Sequence, residues 1–273
     1  MDVRVEKQDG TGINLEDIGI IVQDVDISSI EVMGYSENIQ GRPGTVDMGA
    51  DYGTRTIRVP FIMQSKDWKN YPILRDKLFA ILTSLEPFYL IERRREIYQT
   101  GENVTLTDKR YLVRCFQKFN FDQQFLYGFT ELIFETIQLP FAESPKKTMN
   151  LSVEEIGEEA VYTHNTAEFQ IYNDGNVRLD PRYCEIDIKI QAACDSFLEL
   201  TNQTTGDTWR YEGALTTNDL VHLTGVTYKK NSLNIFRNTN RRLITLLPGW
   251  NEFMVTGASS IQEITFDFRF YYA

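Results

Sequence analysis

Residues 41–63 read GRPGTVDMGADYGTRTIRVPFIM. The second half alternates: Ile57, Val59, Phe61 and Met63 fall between Thr56, Arg58, Pro60 and Ile62. A period of two puts the first set on one face of a strand and marks that face as buried. The first half carries Gly41, Gly44, Gly49 and Gly53, with Arg42, Pro43, Asp47 and Asp51 among them. It has no apolar period, and it predicts a long flexible loop leading into a strand.

Around this stretch the pattern stays β-rich. IGIIVQDVDI (18–27) reads as a strand, with Asp24 and Asp26 as surface carboxylates on one face. One helix is expected over 71–85, where Tyr71, Leu74, Leu78, Ile81, Leu82 and Leu85 recur at helical spacing. Pro72 belongs in its first turn, Asn70 is the expected N-cap, and Pro87 is the expected stop. Its charged back (Arg75, Asp76, Lys77) leaves one apolar stripe to pack on a sheet. Strands resume at 88–92, 110–119 and 129–139. LPFAESPKKTMNLSVEEIGEEA (139–160) breaks the period with two prolines, a lysine pair and a run of glutamates. A domain boundary is placed there, giving domains 1–142 and 143–273.

The second domain reads as all β. In CEIDIKIQAAC (184–194), Ile186, Ile188, Ile190 and Ala192 alternate with Glu185, Asp187, Lys189 and Gln191. ITFDFRFYY (264–272) does the same with Ile264, Phe266, Phe268 and Phe270. Further short strands are expected near 168–172, 197–201, 208–212, 219–223, 233–237, 243–247 and 252–256, separated by NDG, TTGD and LPGWN turns. Short strands at regular spacing without helices mean a two-sheet sandwich of jelly-roll or galectin-like topology.

Composition narrows the function. The 273 residues carry a formal net charge of −11, and Arg93-Arg94-Arg95 is an isolated run followed by Glu96. Free duplex DNA binding needs clustered Lys and Arg to displace counterions, and the chain lacks that stripe. The charged start MDVRVEKQDG is no signal peptide, and no apolar run approaches a membrane span. A reducing cytosolic origin and no membrane partner are therefore expected. Cys115, Cys184 and Cys194 have no CxxC spacing and read as free buried thiols. The sequons at Asn103, Asn150 and Asn202 then carry no meaning.

No catalytic pattern emerges. His164 (expected in a loop) and His222 (on a strand) lack a nucleophile or metal-ligand partner at a meaningful spacing, and no phosphate-binding glycine motif occurs. Paired carboxylates meet only in space, so 39 acidic residues are uninformative. Trp209 and Trp250 are expected as core anchors rather than a sugar platform. No enzyme, no cofactor and no metal are expected.

In order and spacing, several segments resemble one family: the glycine-rich stretch with RTIRVPFIM, then LRDKLFAIL, YLVRCF, LPFAES, IYNDGN, TNQTTGDTWRYEG, LITLLPGWNEFMVTGA and ITFDFRFYY. The chain is similar to the distal tail proteins (Dit) of long-tailed, non-contractile phages and prophages of Gram-positive bacteria. That resemblance implies a mainly β chain. Its N-terminal tail-tube-like β domain has one α-helix and forms rings, and a C-terminal galectin-like β-sandwich follows. It implies a structural virion protein at the distal tail tip or baseplate, made in the host bacterial cytoplasm. Implied partners are five further copies in a hexameric ring, the tail tube protein, the tail-tip hub or tail-associated lysin, and receptor-binding or baseplate proteins. Phage DNA would pass only in transit. Some members carry a long arm or an inserted carbohydrate module in the second domain; none is expected here, since the strands from 168 to 272 are separated by short turns. The alternative is a carbohydrate-binding module for host cell-wall polymers, acting through the C-terminal sandwich. On the ring reading, Gly41, Arg42, Gly44, Asp47, Gly49, Asp51, Gly53 and Arg55 form a loop that orders against the neighbouring copy.

Overall fold

In the computed structural model, which describes residues 1–94, 109–152 and 160–273, the alternating stretch is a strand from Thr56 to Gln64. Its Ile57, Val59, Phe61 and Met63 are wholly buried. The chain divides into two compact units, Met1–Ala142 (with the terminal Ala273) and Glu143–Tyr272. In chain order the first unit runs β1 (Asp2–Lys7), β2 (Gly12–Asn14), β3 (Ile20–Val22), β4 (Asp26–Ile27), β5 (Val32–Glu37), β6 (Val46–Tyr52), β7 (Thr56–Gln64), α1 (Asn70–Leu82), β8 (Phe88–Arg93), β9 (Tyr111–Cys115), β10 (Asp122–Gln124) and β11 (Tyr127–Thr136).

The main sheet has the order β2-β1-β8-β9-β11-β7-β3, with β10 on β11 and β4 on β7. Its centre is the β7–β11 ladder, from Thr56 opposite Glu135 to Gln64 opposite Tyr127. Pro60 sits inside a central strand, where a missing N–H is normally excluded. Its C=O accepts from Gln23 N–H at 3.0 Å. The pyrrolidine nitrogen therefore faces the gap between β3 and β4, and the β11 ladder is intact. β1 was not expected; its Val3 and Val5 are buried although the segment is charged.

Tyr71, Leu78 and Leu82 bury α1 against this sheet, with Leu74 and Ile81 packed beside them. The helix limits differ from those expected. Asn70 is its first residue rather than its cap, and the Asp67 carboxylate accepts from Asn70 N–H at 2.8 Å. The helix stops at Leu82, where the Thr83 hydroxyl donates back to the Phe79 carbonyl at 2.6 Å. Leu85 consequently lies outside the stripe and is 91% exposed.

The second unit continues with β12 (Ala142–Glu143), β13 (Thr163–His164), β14 (Glu168–Asn173), β15 (Ile186–Ala193), β16 (Phe197–Asn202), β17 (Asp207–Glu212), β18 (Leu220–Thr224), β19 (Thr227–Lys230), β20 (Leu233–Asn234), β21 (Gly249–Thr256), β22 (Ser260–Phe268) and β23 (Tyr271–Tyr272). Two sheets, β13-β22-β15-β18-β19-β20 and β14-β21-β16-β17, form the sandwich. Aromatic contacts join them: Phe253 to Phe266 at 4.8 Å, Phe169 to Phe266 at 5.9 Å and Trp209 to Tyr228 at 6.0 Å between ring centroids.

His164 pairs with Ile264 in a strand and is not in a loop. The expected strand 243–247 is irregular. Side chains take its backbone donors: Thr245 N–H bonds Asp207 and Leu247 N–H bonds Asn251, leaving one bridge between Leu246 and Leu179. The strand expected at 233–237 closes after Asn234 into a 3-10 turn at Phe236–Asn238. Arg95, Asn103 and part of the inter-domain stretch lie outside the described residues.

Trp209 is wholly buried, as a core anchor should be, whereas Trp250 is 40% exposed beside Tyr172. Trp209→Ala is expected to cost about 3–5 kcal/mol through the cavity it leaves, and Trp250→Ala at most about 1 kcal/mol. Urea unfolding followed by circular dichroism checks both values.

Candidate functional site

The glycine-rich stretch is the tip and second strand of a β-hairpin rather than a flexible loop. β5 and β6 pair antiparallel, with Val32 opposite Tyr52, Met33 opposite Asp51 and Gly34 opposite Ala50. Among the described residues neither strand pairs with any other. Every residue of β5 is exposed, and every residue of β6 but the half-buried Val46.

The glycines have separate jobs. Gly41 and Gly44 take left-handed angles (φ 85° and 79°) in the tip, where Arg42 N–H closes a turn on the Ile39 carbonyl at 3.0 Å. Gly49, at φ 98°, lies where the register slips between Gly34 and Ser36, and the Asp47 carboxylate accepts its N–H at 2.9 Å. Such a bulge favours glycine because a Cβ is strained at positive φ. Gly53 gives the close approach at the foot, since a Cβ there would meet Glu31 Oε2 at 2.7 Å.

Three backbone bonds root the hairpin in the sheet. Ser28 N–H donates to Thr56 O at 3.0 Å, Glu31 N–H to Thr54 O at 3.2 Å and Gly53 N–H to Glu31 O at 2.8 Å. They carry the β4–β7 pairing outward. Tyr52 meets the buried Phe141 edge-on, 5.6 Å between centroids.

Gly41, Arg42, Gly44, Asp47, Gly49, Asp51 and Gly53 are thus brought together on one arm, and Arg55 is not. Arg55 is buried at the start of β7, with its guanidinium carbon 5.7 Å from the centre of the Tyr111 ring and its Nε without a hydrogen-bond partner. Burial raises the pKa of the Tyr111 hydroxyl, an effect the arginine partly opposes. Among the described residues the Arg42 guanidinium and the Asp51 carboxylate have no partner within the chain.

Sequence reasoning missed β5 and the apolar side chains of the arm: Val32 (64% exposed), Met48 (62%), Tyr52 (58%), Met33 and Tyr35. The usable signal was VMGYSE and VDMGADY flanking a Gly-Pro tip. A mid-strand glycine in each half hid the alternation.

Among the described residues no group of three or more His, Cys, Asp or Glu is placed to hold a metal. His222 Nε2 bonds Thr224 Oγ1 at 2.8 Å and lies 3.4 Å from Asp187 Oδ1. The hydroxyl and the carboxylate meet the same ring nitrogen, whereas a catalytic triad places them on opposite nitrogens. Burial pushes the Cys184 thiol up to about 11 and raises Cys115 and Cys194 too, which keeps all three as thiols.

A long arm on a β domain with one helix narrows the comparison, and residues 8–136 match the model of the phage tail protein RIFT-related domain. That match spans most of the first unit. No curated protein matches the sequence. Among solved structures the chain is similar to the Dit protein of phage SPP1, described as a paradigm of the hub adsorption apparatus in phages infecting Gram-positive bacteria. Identity is 15%, with 98% of this chain and 99% of that one covered and a TM-score of 0.68. Two activated baseplates of phage P2, with calcium and with strontium, match more loosely at 9% and 8% identity and TM-scores of 0.43 and 0.44, each covering 98% of this chain and 97% of the other. The tail domain and the sandwich together therefore have the distal-tail-protein fold over the whole chain.

The two kinds of charged residue in this region are expected to separate on substitution. Arg55→Ala removes a packed, buried side chain and should cost about 2 kcal/mol or more. Arg42→Ala and Asp51→Ala should stay within about 0.5 kcal/mol. Thermal melts of the three variants make the comparison.

Proposed function

We propose that the chain is a structural component of a siphophage virion, a hexameric distal-tail ring that joins the tail tube to the tail-tip hub or baseplate and performs no chemistry. The observation that carries this reading is the β5–β6 arm: two paired strands, exposed on both faces, presenting Val32, Met33, Tyr35, Met48 and Tyr52 to solvent. An isolated hairpin is marginal in water and its outer edges remain open templates. Burying one Val or Met side chain contributes about 1.5–3 kcal/mol. A neighbouring copy supplies that burial in a head-to-tail contact, and such contacts close into rings when the rotation is right. Arg42 and Asp51, without partners within the chain, then set register more than affinity.

The same reading explains the charge. A ring through which DNA passes gains from an acidic or neutral wall, because each basic contact adds salt-dependent affinity. The net charge of −11 per chain fits that demand. Tube protein, hub or tail-associated lysin, and receptor-binding or baseplate proteins are the partners this role requires.

The test is a shortened arm. Residues 33–51 are replaced by an Asn-Gly turn, which keeps the Val32–Tyr52 pair and the contact with Phe141. The variant is expected to melt like the wild type, while native mass spectrometry of assembled material loses the species at roughly six times the 31.7 kDa chain. Normal rings from the shortened protein would refute the arm as the closing contact, and intact tails with a copy number other than six or a multiple of it would refute the ring. Wild-type protein is further expected to show no micromolar affinity for duplex DNA at physiological salt, measured by fluorescence anisotropy.

A further inference from the structure

The second unit holds a cleft of about 670 Å³ that has no part in the arm. Arg178, Arg182, Arg241 and Arg242 line it, with Asp180 and Asp207 as the lining carboxylates. Four guanidinium groups against two carboxylates make it a positive concavity on a chain of net charge −11. Such a concavity concentrates anions.

The internal bonding leaves part of that charge unspent. Arg182 Nε donates to both oxygens of Asp180, 3.0 Å each, and these bonds hold the carboxyl below its usual range. Arg178 Nη2 donates to a neutral partner, Thr245 Oγ1, at 3.0 Å. Asp207 is occupied by Thr205 Oγ1 and by the amide and hydroxyl of Thr245. Among the described residues the Arg241 and Arg242 guanidinium groups have no hydrogen bond or ion pair, and Arg241 has only the Phe236 ring at 5.8 Å.

Their backbone, in contrast, is fixed from several directions. Arg241 N–H donates to Thr239 Oγ1 and Arg242 N–H to Asn240 Oδ1, both at 3.2 Å. The Tyr228 hydroxyl donates to the Arg242 carbonyl at 2.7 Å, and Asn240 Nδ2 donates to Thr208 O at 2.8 Å. Arg241 is held at φ 59°, a left-handed angle that a non-glycine residue adopts only when its surroundings impose it. The backbone that carries the two exposed cations is fixed in advance, so binding has only their side chains left to order.

The residue types name the ligand. Planar guanidinium forks match phosphate oxygens bidentately. At the same cleft Tyr183 is 54% exposed, a ring on which a sugar or polyol face rests, and Asn240 and Thr208 bring polar groups. Duplex nucleic acid is the poorer fit to a single cleft on a chain of net charge −11. We infer that the cleft binds phosphodiester groups of a sugar- or polyol-phosphate polymer, with Arg241 and Arg242 making the charged contacts. This concerns one unit of one chain and stands or falls independently of ring closure.

Isothermal titration of the full-length protein tests it, using poly(glycerol phosphate), uncharged dextran and a short DNA duplex as probes. The polymer phosphate is expected to bind saturably, at least about tenfold more tightly than dextran or DNA, with affinity falling as salt rises. R241A/R242A is expected to weaken it at least about tenfold while the circular dichroism melt is unchanged. Should that variant unfold, inorganic phosphate competing against the polymer on wild-type protein decides instead: displacement beyond that of sodium chloride at equal ionic strength supports the site, and equal displacement refutes it. No binding at millimolar polymer, equal binding of dextran or DNA, or a folded R241A/R242A protein with unchanged affinity would each overturn the proposal.

Discussion

Three backbone hydrogen bonds at the foot of the arm, joining Ser28 to Thr56, Glu31 to Thr54 and Gly53 to Glu31, connect everything else in the first unit. On one side of them β7 drives Ile57, Val59, Phe61 and Met63 into the core. On the other, the same two chain segments leave the sheet as an exposed pair of strands. Buried alternation is what makes the arm directional: β7 cannot slip by one residue without turning its apolar row to solvent, so the arm leaves the domain at one fixed place. A mobile loop would have had no such root. The glycines that look like a source of flexibility are spent instead on two tip angles, a bulge and a tight approach.

How much of this was legible in the sequence follows from what each segment buries. The strands β7 and β15 bury one face and their alternation is unbroken, and β22 shows the same apolar row at Ile264, Phe266 and Phe268. The α1 stripe was visible for the same reason, although a carboxylate at Asp67 and a back-bonding hydroxyl at Thr83 set its limits where prolines had seemed to. The arm buries almost nothing within the chain, so no apolar period records it, and a reading based on burial takes it for a loop. Arg55 shows the converse. It follows the arm in sequence and looks like another exposed charge, yet burial separates it from Arg42 and Asp51. The cleft arginines were out of reach for a further reason: Arg178 and Arg182 stand far along the chain from Arg241 and Arg242, and only the sandwich brings them to one place.

The chain as a whole is acidic, which suits the proposed ring wall. One cleft of the second unit gathers four arginines against two aspartates, and there hydrogen bonds fix the backbone and leave the Arg241 and Arg242 guanidinium groups without a partner among the described residues. The tail-family match covers the first unit, and the distal-tail-protein fold covers both. The arm is the element of the first unit with the most to gain from a second copy.

Hydrogen–deuterium exchange across residues 32–52, in the free chain and in intact tails, is the most direct test of that claim. In the free chain an unsupported two-stranded hairpin should exchange quickly at its outward-facing amides. If the arm lies against a neighbouring copy, those amides should slow by about a hundredfold or more in the tail, as expected when local opening must break an interface. Equal exchange rates in the two states would contradict the account.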